Sequence, residues 1–158
     1  MLTQAEAQRR LVFHGAVTFM VGLLCGLPSV VELSVRSVPM WQAAHGALLL
    51  LGVWLIAMAA VWPVLQLAER ERAGLMWSLV AAAYSFMVAV IVQAITGVRA
   101  VSPDASGLGL LAFAANLVAV FSSFLSAALT IVGAAQRLRA PRATPTIPAA
   151  EATSPDRP

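Results

Sequence analysis

The chain contains no lysine, one cysteine, one tyrosine and two histidines, and charged residues fill only 11% of its 158 positions. Each scarcity removes a class of function. A single cysteine, Cys25, allows neither an internal disulfide nor a CxxC metal site, and it reads as a small hydrophobe inside an apolar run. The ten basic residues are all arginine and are not interleaved with aromatics on one soluble face, so nucleic acid is not a partner. No H-x-x-x-H pair, glycine-rich phosphate loop or serine nucleophile with a histidine at matching depth is present. So little charge also excludes a water-soluble domain of this length, whose surface would carry far more.

What fills the space is apolar: 60% of the residues are hydrophobic, and the mean hydropathy is +0.85. The apolar residues fall into four stretches, 11–34, 41–66, 74–96 and 108–134, each at or above the ~20 residues that span a bilayer as a helix. In lipid the backbone must satisfy its own hydrogen bonds, which makes helices the economical choice. The first stretch is too long for a removable signal peptide, lacks a clean small-residue cleavage site and has three equivalents. The fold class predicted is all-α, an integral membrane four-helix bundle over 11–139, preceded by a short N-terminus (1–10). Residues 140–158, with five prolines among Ala, Thr and Ser, read as a disordered tail.

The arginines predict orientation. Arg9 and Arg10 precede the first span, Arg70 and Arg72 lie between the second and third, and Arg137, Arg139 and Arg142 follow the fourth; the other two turns hold only Arg36 and Arg99. By the positive-inside rule both termini are cytoplasmic, in a multi-pass protein of the cell inner membrane. Small residues at four-residue spacing, such as Gly22 and Gly26 on the first span, Ala81, Ser85 and Ala89 on the third, and Ser122, Ser126 and Thr130 on the fourth, suit close helix packing. Pro28 and Pro63 lie near span ends, where a kink costs least.

Polar side chains within the spans are the functional candidates, because lipid penalises them. They are His14, Gln42, His45, Gln66, Tyr84, Gln93, Asn116 and the serines of the fourth span. Both histidines are followed by Gly-Ala and stand a few residues into antiparallel spans. That placement predicts a separation in depth of roughly 20 Å or more, so the two do not clamp one metal. A histidine that binds a haem does so alone and leaves one axial position open for a ligand or for chemistry. The structural alternative is a neutral imidazole bonded to a backbone carbonyl one turn earlier in its own helix.

Context favours His45. The segment Trp41-Gln42-Ala43-Ala44-His45-Gly46 resembles the W-x-x-A-H segment of styrene oxide isomerases, small four-helix membrane enzymes that convert aryl epoxides to aldehydes. The resemblance extends over most of 9–136 and includes Arg9-Arg10, His14-Gly15, Pro63-x-Leu65-x-x-Ala68, and Ala128-Leu129 shortly before Gly133. It implies a haem b whose iron is held by His45 with Trp41 close by, a small hydrophobic substrate drawn from the lipid bilayer, and a homo-oligomer, in the family a trimer with haem near subunit contacts. It further implies redox-neutral chemistry, in which ferric iron acts as a Lewis acid on the epoxide oxygen.

The chain departs from that family at polar positions. Leu51 stands where the family has an asparagine six residues after the histidine, and Ala83 and Ile91 stand where it has an aspartate and a tyrosine. Tyr84, Gln93 and Asn116 are the polar residues left to line a pocket. Three functions follow: a haem-dependent isomerase with an altered pocket, a haem-binding membrane subunit without isomerase activity, and a haem-free scaffold. Transport is disfavoured because Glu32, Glu69, Glu71 and Asp104 all stand at span ends or in turns.

Overall fold

A computed structural model of the protein describes residues 3–30, 38–97 and 106–139. The described residues form four helices: α1 Gln4–Val30, α2 Val38–Val61, α3 Glu69–Thr96 and α4 Gly107–Arg139, with a 3-10 turn at Trp62–Val64 after α2. All four are long and apolar enough to cross a membrane. The tail 140–158, the turn residues 98–105, and Glu32, Arg36, Arg99, Asp104 and Arg142 lie outside the described residues.

α1, α3 and α4 begin earlier than the apolar runs because polar caps, invisible to hydropathy, start them. The Thr3 hydroxyl accepts from the Glu6 N–H at 3.2 Å while the Glu6 carboxylate accepts from the Thr3 N–H at 3.4 Å, a reciprocal cap that places the start of α1 seven residues before Leu11. Glu71 accepts from the Ala68 N–H at 2.9 Å at the start of α3, and Ser106 accepts from the Gly109 N–H at 3.0 Å at the start of α4. α3 ends where Gly97 adopts φ 71°, a left-handed conformation favourable to glycine, with its N–H bonded to the Gln93 carbonyl at 2.8 Å. The α-helix of the second span stops at Val61 rather than continuing to Gln66. Pro63 cannot supply a backbone N–H, so the chain tightens into the 3-10 turn and leaves it extended at Leu65.

α1 and α2 form an antiparallel hairpin packed backbone to backbone. A Cβ on Gly52 would lie 2.8 Å from the Gly15 carbonyl oxygen, and one on Gly22 would lie 2.9 Å from the Leu49 nitrogen. The step from Gly15 up to Gly22 is matched by the step from Gly52 back to His45, so two turns of one helix face two turns of the other. α3 and α4 form the second hairpin. The two are tied where the Gln66 N–H donates to the Gly133 carbonyl at 3.2 Å and Leu67 covers Gly133.

α3 is the centre of the bundle and packs on all the other helices, whereas α4, among the described residues, packs on no helix but α3 and otherwise meets the 3-10 turn and residues 65–67 after it. One core cluster, nearer the starts of α1 and α3, gathers Leu11, Leu55, Met58, Trp62, Leu75 and Met76. A second gathers Cys25, Ala44, Leu48, Met87 and Ala94. Leu51 and Tyr84 touch both clusters. The outer surface carries exposed Phe13, Leu50, Phe121, Phe124 and Ile131, as expected when lipid rather than water is the solvent.

Starting α1 at Gln4 corrects the expected distance between the histidines. His14 is ten residues into its helix instead of three into its span, and it lies beside the Gly15–Gly52 crossing. His45 is one seven-residue step away, at the level of Gly22. At ~1.5 Å per residue the difference in depth is about 11 Å, not 20 Å. The two rings also take different partners, His14 the Tyr84 hydroxyl and His45 the Gly22 carbonyl.

Candidate functional site

His45 is half-buried on the face of α2 that meets α1. Its Nδ1 lies 2.8 Å from the Gly22 carbonyl oxygen. A carbonyl can only accept, so Nδ1 carries the hydrogen and donates it, and in the neutral ring Nε2 keeps a free lone pair. The ring fits because α1 has no side chain there: a Cβ on Gly26 would come within 2.9 Å of Nδ1 and 3.2 Å of Cε1. The Gly22 and Gly26 pair, expected only as a helix-packing motif, is therefore a cradle for the imidazole. Trp41, one turn before His45, packs on the second core cluster.

His14 is engaged elsewhere. Its Nδ1 shares a hydrogen bond of 3.0 Å with the Tyr84 hydroxyl, and the two rings meet edge to face with centroids 5.6 Å apart. The pair joins α1 to α3 where the two core clusters meet. Tyr84 thus turns its hydroxyl to His14. Gln93 is half-buried near the far end of α3.

Asn116 lines a large apolar groove of about 820 Å³ between α2 and α4, floored by α3. Its other walls include Leu51, Trp54, Phe86, Ser123 and Phe124. His45 and Trp54 are nine positions apart on α2, which at ~100° per residue places them on opposite sides of the helix. One protomer therefore separates its histidine face from its groove by the body of α2.

The three altered family positions are apolar places in the fold. Ala83 is fully buried in the first cluster, Ile91 packs on the second, and Leu51 lies between both clusters and the groove. The protein-family model for styrene oxide isomerase matches residues 7–135, four-fifths of the chain. The chain belongs to the styrene oxide isomerase family. No curated protein and no solved structure matches it.

Among the described residues no three His, Cys, Asp or Glu side chains gather as a metal site. A haem needs no such group, since the porphyrin supplies the in-plane nitrogens and the protein one axial donor. His45 fits that donor role chemically. The hydrogen bond to Gly22 fixes the tautomer and the ring orientation, as outer partners of metal-binding histidines ordinarily do. Among the described residues His14 has no such carbonyl partner on its ring. Sequence reasoning singled out His45 through its neighbours, but missed the Gly22 carbonyl, the His14–Tyr84 pair and the groove. Aligning the glycines of the first hairpin by their equal spacing was the signal that could have found the first.

Proposed function

We propose that the protein is a haem b-dependent membrane isomerase that opens a small hydrophobic epoxide to an aldehyde, with His45 as the axial ligand. The observation that carries this reading is the donation from His45 Nδ1 to the Gly22 carbonyl, which presents a free Nε2 lone pair, in a chain of the styrene oxide isomerase family. Bound ferric haem would supply a Lewis acid for the epoxide oxygen. The residues supply the rest. Gly22 and Gly26 hold the ring in place, and the hydrogen bond makes the imidazole a stronger donor. The isomerisation keeps every atom and electron of the substrate, so the chain needs no nucleophile or proton source, only a dry surface that keeps water from the opened epoxide.

Oligomerisation belongs to the same proposal. A cofactor held by His45 needs an apolar cover, and within the protomer the groove lies on the other side of α2. A second copy presenting its α2–α3–α4 groove has the chemistry for that cover, which favours a cyclic homo-oligomer, a trimer by family resemblance. Arg9, Arg10, Arg70, Arg72, Arg137 and Arg139 stand at one end of the bundle, at the starts of α1 and α3 and the end of α4. We assign that end to the cytoplasm, with the inner membrane as location.

The apolar character of Leu51, Ala83 and Ile91, where the family has polar residues, favours a second reading, a haem-binding subunit without isomerase activity. Absorption spectra of detergent-purified wild type, His45→Ala and His14→Ala, expressed with haem supplied, test the site, and an epoxide screen tests the reaction. A Soret band lost only in His45→Ala, with aldehyde formed by wild type, supports the isomerase; the band without aldehyde supports the second reading. No band in any of the three leaves a haem-free bundle.

A further inference from the structure

The arginine-rich end of the bundle carries a second cavity, of about 390 Å³, lined by Glu6, Arg10, Glu69 and Arg72 around Ala7, Trp62 and Met76. The volume would hold on the order of a dozen waters at ~30 Å³ each. Ala7, Trp62 and Met76 are buried core residues, so the floor is apolar and the walls are charged with both signs.

Only two of the four charges pair with each other. Arg10 meets Glu6 at 3.8 Å, the single ion pair among the described residues. Arg72 donates to the Leu67 carbonyl at 3.1 Å, which fixes one edge of its guanidinium and leaves other N–H groups to face the cavity. Glu69 has neither a hydrogen bond nor an ion pair among the described residues, although it lines the same cavity as Arg72. All four stand within the first two turns of α1 and α3, the level at which membrane helices meet headgroups.

We propose that this cavity binds the headgroup of a zwitterionic phospholipid of the phosphoethanolamine type. The phosphate is taken by Arg72 and Arg10, the ammonium by Glu69 and Glu6, and the glycerol end of the lipid rests against Trp62. A purely anionic headgroup leaves the carboxylates unmatched, and a choline headgroup offers them no N–H donor. The apolar floor selects a lipid over free phosphoethanolamine. This site is independent of haem and of the isomerase reading.

The test is native mass spectrometry of delipidated full-length protein titrated with phosphatidylethanolamine, phosphatidylcholine and phosphatidylglycerol of identical acyl chains, beside soluble phosphoethanolamine. Arg10→Gln and Glu69→Gln are the variants, since both side chains are exposed; Arg139→Gln is the control. Wild type is expected to retain phosphatidylethanolamine about tenfold better than the other lipids, with both variants losing that preference, the control keeping it, and the soluble headgroup failing to bind. Equal retention of the three lipids, preference for phosphatidylglycerol, preference unchanged in both variants, or equal binding of soluble phosphoethanolamine would overturn the proposal.

Discussion

At Gly26 the space a side chain would take is occupied by the ring of His45, whose Nδ1 lies 2.9 Å from where a Cβ would stand. Gly26→Ala must therefore push the imidazole away from the Gly22 carbonyl. Gly46, the residue after His45, has no described residue within 4 Å of an added Cβ. If His45 holds haem, Gly26→Ala loses most of the Soret absorbance per protomer while its far-ultraviolet circular dichroism stays helical, and Gly46→Ala keeps the band. Equal spectra would show that the cradle does not position a ligand. The His14–Tyr84 bond makes a separate prediction. Tyr84→Phe removes the hydroxyl and leaves His14 without that partner, which costs about 0.5–1.5 kcal/mol. A double-mutant cycle with His14→Ala, read by thermal unfolding in detergent, should give a coupling of roughly 0.6 kcal/mol. What was legible at this scale was chemistry-bearing side chains in lipid, His45 above all. Their partners were not, because a backbone carbonyl such as that of Gly22 has no letter in the sequence, and Tyr84 could be placed on α3 without its rotation being known.

Elements were legible to the extent that hydropathy defines them. The four apolar runs each correspond to one helix, since lipid admits little else. Their ends follow other physics: Thr3 with Glu6, and Glu71 with Ala68, extend α1 and α3 toward the arginine-rich end, and Pro63 ends α2 early. The error in histidine depth came directly from the missed cap of α1. The pairing of the helices depends on glycines that differ in what they face. An added Cβ on Gly52 meets the Gly15 carbonyl oxygen and the Phe19 nitrogen, both at 2.8 Å and both backbone. Gly52→Ala must spread α1 from α2, a loss of roughly 1–3 kcal/mol by analogy with overpacked cores. Gly74, inside α3, would place its Cβ 3.6 Å from Leu129 Cδ1, an ordinary contact. Gly74→Ala should accordingly stabilise the bundle by about 0.4–1 kcal/mol, as a tolerated helical Gly→Ala change does. Thermal unfolding of the two variants in one detergent checks both, and opposite signs are expected.

The groove exists only at the scale of the whole molecule. No sequence pattern marks it, because it is formed by what α2 and α4 do not do: each packs on α3, and neither packs on the other. Ala57 and Ala127 line it from opposite sides with exposed side chains, so larger residues can enter the groove without disturbing the protomer's own core. If a second copy covers its haem face with this groove, the double substitution Ala57→Phe with Ala127→Phe should turn the oligomer into monomer in size-exclusion chromatography with light scattering. The Soret band should weaken with it, although His45 and its cradle on the far side of α2 are untouched. Leu125→Phe, exposed on the opposite flank of α4 and outside the groove, is the matched control and should change neither. An oligomer that survives the double substitution would place the subunit contact elsewhere. A band lost from a persisting oligomer would instead place the cofactor within reach of the groove itself, and the separation of the two faces by α2 would then describe only the isolated chain.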